Sequence, residues 1–146
     1  MKNEGKKFEE DFKKSVPKNL FYYRFIDGTS AWDGGNARFQ AKNICDCMVM
    51  AFDTLYLIEL KSFKGKSFPF SNIDLKNLDK MIEAKQVHIS RVNPVVVFNF
   101  RDLEKTFVVP CKLVKWYIDN ADRKSIPLSW FENDLIQPYE IIPQVK

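Results

Sequence analysis

The stretch Asn43 to Lys61 constrains the fold more than any other. Two β-prone apolar runs flank a break at Phe52-Asp53, which predicts an antiparallel hairpin. Both faces of both arms are apolar. Cys45, Cys47 and Val49 alternate with Met48 and Met50, and Tyr56, Ile58 and Leu60 alternate with Leu55 and Leu57. Strands of this kind belong in the middle of a sheet covered on both sides. Yet each arm carries an acid, Asp46 on the first and Glu59 on the second. A turn centred at Phe52-Asp53 sets Asp46 opposite Glu59, where the Cβ atoms of an antiparallel pair stand about 4.5–5.5 Å apart. Carboxylates that close repel unless a proton or a cation lies between them. A divalent ion is the natural cation, and hard oxygen ligands suit Mg²⁺. Lys61 follows Glu59 by two and leaves the same face of the strand, beside that ion and any phosphate bound to it. Taken alone, a Glu-x-Lys triplet is a common pattern, and a frayed strand end with solvated charges has the same letters.

The chain has 146 residues, which suits one domain spanning 1–146. A formal net charge of +4 is compatible with a polyanionic partner without demanding one. Thirteen Phe residues are expected mostly in the core. Cys45, Cys47 and Cys111 make an odd count without framework spacing, which points to a reducing, cytoplasmic compartment. No run resembles a signal peptide or a membrane span. A single histidine, His88, is poor material for a zinc site and is read as structural.

Along the chain, Asn3 to Ser15 reads as a helix capped by Asn3, stopped before Pro17 and buried through Phe8 and Phe12. Gly5, one turn before Glu9, would let this helix approach another element closely. By spacing alone, Glu9, Glu10 and Asp11 form a solvated acidic face. Leu20 to Ile26 is a strand containing Arg24. The segment 31–42 holds Trp32, Gly34, Gly35, Arg38, Phe39 and Lys42. Interleaved aromatic and basic residues on a Gly-bearing loop suit nucleic acid, and equally an ordinary connection anchored by Trp32. Ser62 to Phe70 reads as a polar loop with Lys64 and Lys66. Ser71 is the expected cap of a helix with the stripe Leu75, Leu78, Met81, Ile82 and Ile89, and Asn77 at its edge. Val95–Phe100 pairs with Phe107–Val109, and Leu113–Ile118 is helical. Asp122 to Pro127 is a basic loop with Arg123 and Lys124. Ser129 caps a short helix around Trp130–Leu135, and Tyr139–Ile142 forms an edge strand.

Gly5-x-x-x-Glu9 on a leading helix, Asp46, and Glu59-x-Lys61 together resemble the PD-(D/E)xK nuclease superfamily. Within it the chain resembles a small bacteriophage relative of the RecU Holliday-junction resolvases. Ser67-Phe68-Pro69-Phe70-Ser71-Asn72-Ile73 is similar to the segment after that family's catalytic lysine, and Arg123-Lys124-Ser125-Ile126-Pro127 to its basic C-terminal loop. The resemblance implies an α/β fold with a restriction-endonuclease-like core, a central mixed sheet flanked by helices. It implies a metal-dependent endonuclease acting on branched DNA, with Glu9, Asp46, Glu59 and Lys61 catalytic. Asp46, Glu59 and the Leu60 carbonyl would hold Mg²⁺, for which Mn²⁺ would substitute. Arg24, Arg38, Lys42, Lys64, Lys66, Asn77, Arg123 and Lys124 would face DNA, and no small-molecule cofactor or membrane is implied. Two symmetric cuts imply a homodimer. Two departures stand out. Asn77 occupies the place of a family Gln, and the segment at about 28–42 is short where the family has a DNA-engaging stalk. Competing readings are a restriction- or exonuclease-type enzyme of the same fold, a non-catalytic DNA-binding scaffold, and an unrelated α/β protein.

Overall fold

The structure is a computed structural model and describes residues 3–26, 42–87 and 91–133. The helix α1 (Glu4–Ser15) begins where expected, with the Asn3 side chain accepting from Gly5 N–H at 3.1 Å. It leads to β1 (Phe21–Arg24), shorter than the Leu20–Ile26 reading. The predicted hairpin follows as β2 (Cys47–Ala51) and β3 (Thr54–Phe63). Its turn lies at Phe52-Asp53, with Phe52 in the left-handed region at φ 55°. β3 runs past Lys61 through Ser62 and Phe63, which the sequence had suggested were loop. The order continues with β4 (Ser67–Pro69), a 3-10 turn (Phe70–Asn72), α2 (Leu75–Val87), β5 (Val92–Phe100), a second 3-10 turn (Arg101–Leu103) and β6 (Lys105–Pro110). Last come α3 (Cys111–Asn120), β7 (Ser125–Pro127) and α4 (Leu128–Phe131).

The main sheet has the order β1-β2-β3-β5-β6, with β3 and β5 parallel and every other pair antiparallel. It is a mixed sheet flanked by helices, as expected. The parallel pair requires a crossover, which α2 supplies. One face packs on α1: Phe12 and Val16 lie against Cys47, Val49, Ala51, Ile58, Leu60, Val95 and Val97. The other face is aromatic. Phe63, Phe68, Phe98, Phe100, Phe107 and Phe131 are buried and meet largely edge to face, with centroids 4.5–5.8 Å apart. Each buried Phe contributes about 1.5–3 kcal/mol through lost apolar surface. This is where much of the unusual Phe content goes.

Several local readings are corrected. The stretches read as loops around Ser67 and Ser125 pair as a second, two-stranded sheet, β4 with β7, with Phe68 opposite Ile126. Asp74, not Ser71, caps α2: its Oδ1 accepts from Lys76 N–H at 3.0 Å and Asn77 N–H at 3.2 Å, while Ser71 lies in the 3-10 turn. α4 begins at Leu128 behind Pro127, so Ser129 is inside it rather than its cap. Among the described residues, a Cβ at Gly5 would meet only Asn3 Oδ1 at 3.3 Å, so this glycine brings none of the described elements close; Phe12 makes the contact with the sheet. Coverage of β2 is one-sided, since Met50 remains 40% exposed. Trp32, Arg38, Phe39, His88, Ile89, Leu135 and Tyr139–Ile142 lie outside the described residues. Among the described residues, no helix is long and apolar enough to cross a membrane.

Candidate active site

Asp46 stands at the point where β2 begins. Its N–H donates to Ile58 O at 3.1 Å, and its carbonyl accepts from Phe25 N–H at 3.0 Å. The ladder between β2 and β3 ends at Cys47 opposite Ile58, and because Asp46 N–H also goes to Ile58 O, Asp46 lies beyond the regular register instead of directly opposite Glu59. Beyond that point β3 has lost its strand partner, and the Asp46 side chain takes over: Oδ2 accepts from Leu60 N–H at 2.7 Å. The carboxylate is therefore fixed to the β3 backbone, one residue from Glu59. Burial, then the charge of Glu59, pushes the Asp46 carboxyl up to about 6, against the lowering effects of the Leu60 N–H and Lys61. The two acids thus feel each other, although Asp46 stands outside the ladder that was expected to oppose it to Glu59.

Glu59 and Lys61 leave one face of β3, and Lys61 Nζ lies 2.9 Å from Glu59 Oε1, both side chains being mostly buried. Glu9 is not a free acidic face. Arg24 grips its Oε2 from Nη2 at 2.6 Å and Nε at 2.8 Å, while Arg24 Nη1 donates to Phe25 O at 3.1 Å. Glu9 is thereby held at the end of β1, near enough to raise the Asp46 carboxyl further. The four residues Glu9, Asp46, Glu59 and Lys61 come together from three separate segments.

A cleft beside them is lined by Glu59, Lys61, Ile73, Asp74, Asn77, Leu78, Met81 and Val96. Asn77 Nδ2 donates to Asn43 O at 3.3 Å, and Lys42 pairs with Asp74. These contacts tie the segment leading into Asp46 to the start of α2. Asp74, three residues after Ser71 and close to a capping box with it, is itself the cap. Among the described residues, the basic side chains singled out from sequence do not converge. Arg24 is engaged by Glu9 and Lys42 by Asp74. Lys64 is exposed, 4.0 Å from Glu4. Lys66 and the pair Arg123, Lys124 are exposed at opposite ends of the β4-β7 sheet, since Lys66 O accepts from Leu128 N–H and Lys124 O from Phe70 N–H. Sequence reasoning also missed Arg101, which donates to Ser62 Oγ at 3.2 Å and pairs with Glu4. Only the parallel pairing of β3 with β5 brings it there.

The donor set suits a hard divalent cation. Asp46 and Glu59 would supply the carboxylate oxygens, and a cation between them would relieve the repulsion that raises Asp46. Among the described residues, no group of three or more His, Cys, Asp or Glu is close enough to share one ion. Two carboxylates suffice for Mg²⁺, which keeps several waters and draws further ligands from substrate phosphate. Burial pushes all three cysteine thiols up, Cys45 to about 12, so they pack as neutral groups.

The sequence profile of a family described as RecU, Recombination protein U, matches residues 4–146. A curated relative, the SPbeta prophage-derived uncharacterized protein YotM of Bacillus subtilis strain 168, is 33% identical over 110 residues. That match covers 70% of this chain, and the chain spans about half, 52%, of the relative. Among solved structures, the Holliday junction resolvase Hjc of Archaeoglobus fulgidus superposes with a TM-score of 0.53 at 14% identity. The match covers 86% of this chain and 89% of Hjc, and establishes a common fold.

Proposed function

Since the chain belongs to the RecU family, we propose that it is a metal-dependent endodeoxyribonuclease that resolves four-way or branched DNA junctions by phosphodiester hydrolysis. The observation that carries this reading is the Asp46 carboxylate, anchored at 2.7 Å to Leu60 N–H and pushed up by burial and Glu59, with the Lys61 ammonium beside it. A scaffold that only binds DNA has no use for two partly buried acids that repel each other. The likeness of fold to the Holliday junction resolvase Hjc supports the choice of substrate.

In this reading Asp46, Glu59 and the Leu60 carbonyl hold Mg²⁺, which when bound polarises the phosphate and acidifies water. Asp46 stays oriented because its second anchor is the backbone of β3 itself. Lys61, now paired with Glu59, turns its ammonium to the non-bridging phosphate oxygens or orients the attacking water. Glu9, held by Arg24, supplies a second-rank negative charge that raises cation affinity without entering the pair. Asn77 sits in the cleft wall, where its amide meets DNA at shorter reach than a Gln. Lys64, Lys66, Arg123 and Lys124 make phosphate contacts on either side of the β4-β7 sheet, giving salt-dependent affinity.

Two symmetric cuts require two sites, so the working unit is a homodimer. The test is cleavage of a labelled four-way junction with Mg²⁺ or Mn²⁺, alongside linear duplex of the same sequence. Preferential nicking of the junction is expected. Equal cutting of both would make the enzyme a general nuclease, and no cutting of either would leave a binding module.

A further inference from the structure

Where β3 and β5 end, on the α1 side of the sheet, lies a cavity of about 320 Å³ that shares no lining residue with the cleft beside Glu59. Its walls include Lys7 and Asp11 of α1, with Ser62, Asn99, Arg101 and Thr106 below them. A relay of hydrogen bonds fixes Arg101 there. Its Nε donates to Ser62 Oγ at 3.2 Å, Ser62 Oγ to Asn99 Oδ1 at 2.8 Å, and Asn99 Nδ2 to Thr106 Oγ1 at 3.0 Å. Arg101 Nη1 then pairs with Glu4 Oε2, while Glu4 Oε1 lies 4.0 Å from Lys64 Nζ. Lys64 is kept at this level because Asp102 Oδ2 accepts from Gly65 N–H at 3.1 Å. The two sides of the pair are held unequally. Arg101 has its relay, whereas Glu4 Oε2, shut off from water, has only the ion pair and no hydrogen bond among the described residues. A carboxylate oxygen so placed is poorly compensated for its lost water. The cation is preorganised and the anion is replaceable.

We propose that Arg101 and Lys64 form a slot for one DNA phosphate, and that Glu4 fills this slot until DNA displaces it. A phosphodiester offers two non-bridging oxygens, and a guanidinium fork matches phosphate as well as it matches carboxylate. Position agrees. β3 pairs with β5 as far as Phe63 and Phe100, and Lys64 and Arg101 each follow by one residue. At about 3.3 Å a residue, this level is on the order of 10 Å along β3 from Lys61. A DNA strand carries one phosphate for about every 3.4 Å of its axis, so a strand cut beside Lys61 has further phosphates within that reach. Lys7 adds a third cation in the wall. Asp11, seven residues after Glu4, stands about 10 Å further along α1 and leaves the slot cationic. That the anion is DNA rests on the function proposed above; the slot itself rests on the Arg101 relay and on Glu4.

Gel-shift titrations of a four-way junction in chelator, over a salt series, test this, with circular-dichroism melts to establish folding. Arg101→Ala should weaken binding about tenfold at low salt and lower the slope of log affinity against log salt by about one. Glu4→Gln should do the opposite and tighten binding several-fold, because the slot then stands open. An ion pair that only fastens α1 gives a different pattern: losing either partner loosens the helix, and neither loss tightens DNA binding. Arg101→Gln serves if Arg101→Ala fails to fold. Unchanged binding by the folded Arg101 variant, weaker or unchanged binding by Glu4→Gln, or a wild type that binds no DNA would overturn the slot. Nicking of junctions by a protein whose two variants bind as wild type does would remove the slot and leave the nuclease reading standing; opposed shifts in a protein that never nicks would do the reverse.

Discussion

In the proposed mechanism, Lys61 is the residue on which catalysis and binding separate. Its ammonium lies 2.9 Å from Glu59 Oε1, inside the site rather than on an open surface. Lys61→Ala should lower single-turnover cleavage about 10²–10³-fold, the scale of losing one positioned donor to a developing oxyanion. Junction affinity in a gel-shift assay should change only a few-fold. Asp46 makes a different prediction. Its folded-state carboxyl is raised to about 6 by burial and then by Glu59, above its ordinary 3.8. A raised carboxyl makes the native state bind more protons than the unfolded chain between those values. The stability from this group is therefore complete below about 3.8 and is lost as pH rises through about 6. Without metal, the melting temperature should fall across that window, and Asp46→Asn should flatten the slope. The size is on the order of 2 kcal/mol. Added Mg²⁺ competes with that proton, so its stabilising effect should be larger at pH 8 than at pH 5.5 and vanish in Asp46→Asn. Sequence reasoning reached Asp46 and Glu59 because local alternation and a visible turn place them. It did not reach the Leu60 N–H contact, which exists because β2 begins only at Cys47, one residue after Asp46, and leaves the Leu60 N–H to the Asp46 side chain.

Among the elements, the small β4-β7 sheet is the least visible in the sequence. Ser67 Oγ and Ser125 Oγ meet at 2.7 Å across 58 residues of chain. Strands of three residues are too short for alternation to show, and the pairing closes only after β5, β6 and α3 are in place. The two stretches on which the family resemblance most depended turn out to be partners in one sheet. This sheet seals the aromatic side of the core through Phe68 and Ile126, both buried. Ile126→Ala should destabilise the protein by about 2–5 kcal/mol, read from urea midpoints, by cavity formation. At the turn between β5 and β6, Glu104 is exposed in the left-handed region at φ 51°. Glu104→Gly should stabilise by about 0.5–1 kcal/mol, because glycine carries no Cβ penalty there. The α1 helix was legible throughout, with cap, buried side and stop. Glu9 was not, since spacing gave no sign of Arg24 reaching it from β1.

For the whole molecule, the mixed sheet joins two local units, the β2-β3 hairpin and the β5-β6 hairpin, through the parallel contact of β3 with β5. That contact carries Ser62, Asn99 and Arg101 into one hydrogen-bonded group, with Ser62 Oγ 2.8 Å from Asn99 Oδ1. It also aligns β3 so that Glu59 and Lys61 face the cleft under α2. No periodicity announces parallel pairing, which is why this level of the fold came from family resemblance rather than from the residues themselves. The account depends on one site in which Asp46, Glu59 and Lys61 act as a unit on branched DNA. Its most direct test is nicking of a labelled four-way junction by wild type, Asp46→Asn and Glu59→Gln, with Mg²⁺ and with chelator. Paired, metal-dependent nicks by wild type and none by either variant are predicted. Metal-independent cutting, or undiminished cutting by Asp46→Asn, would contradict it.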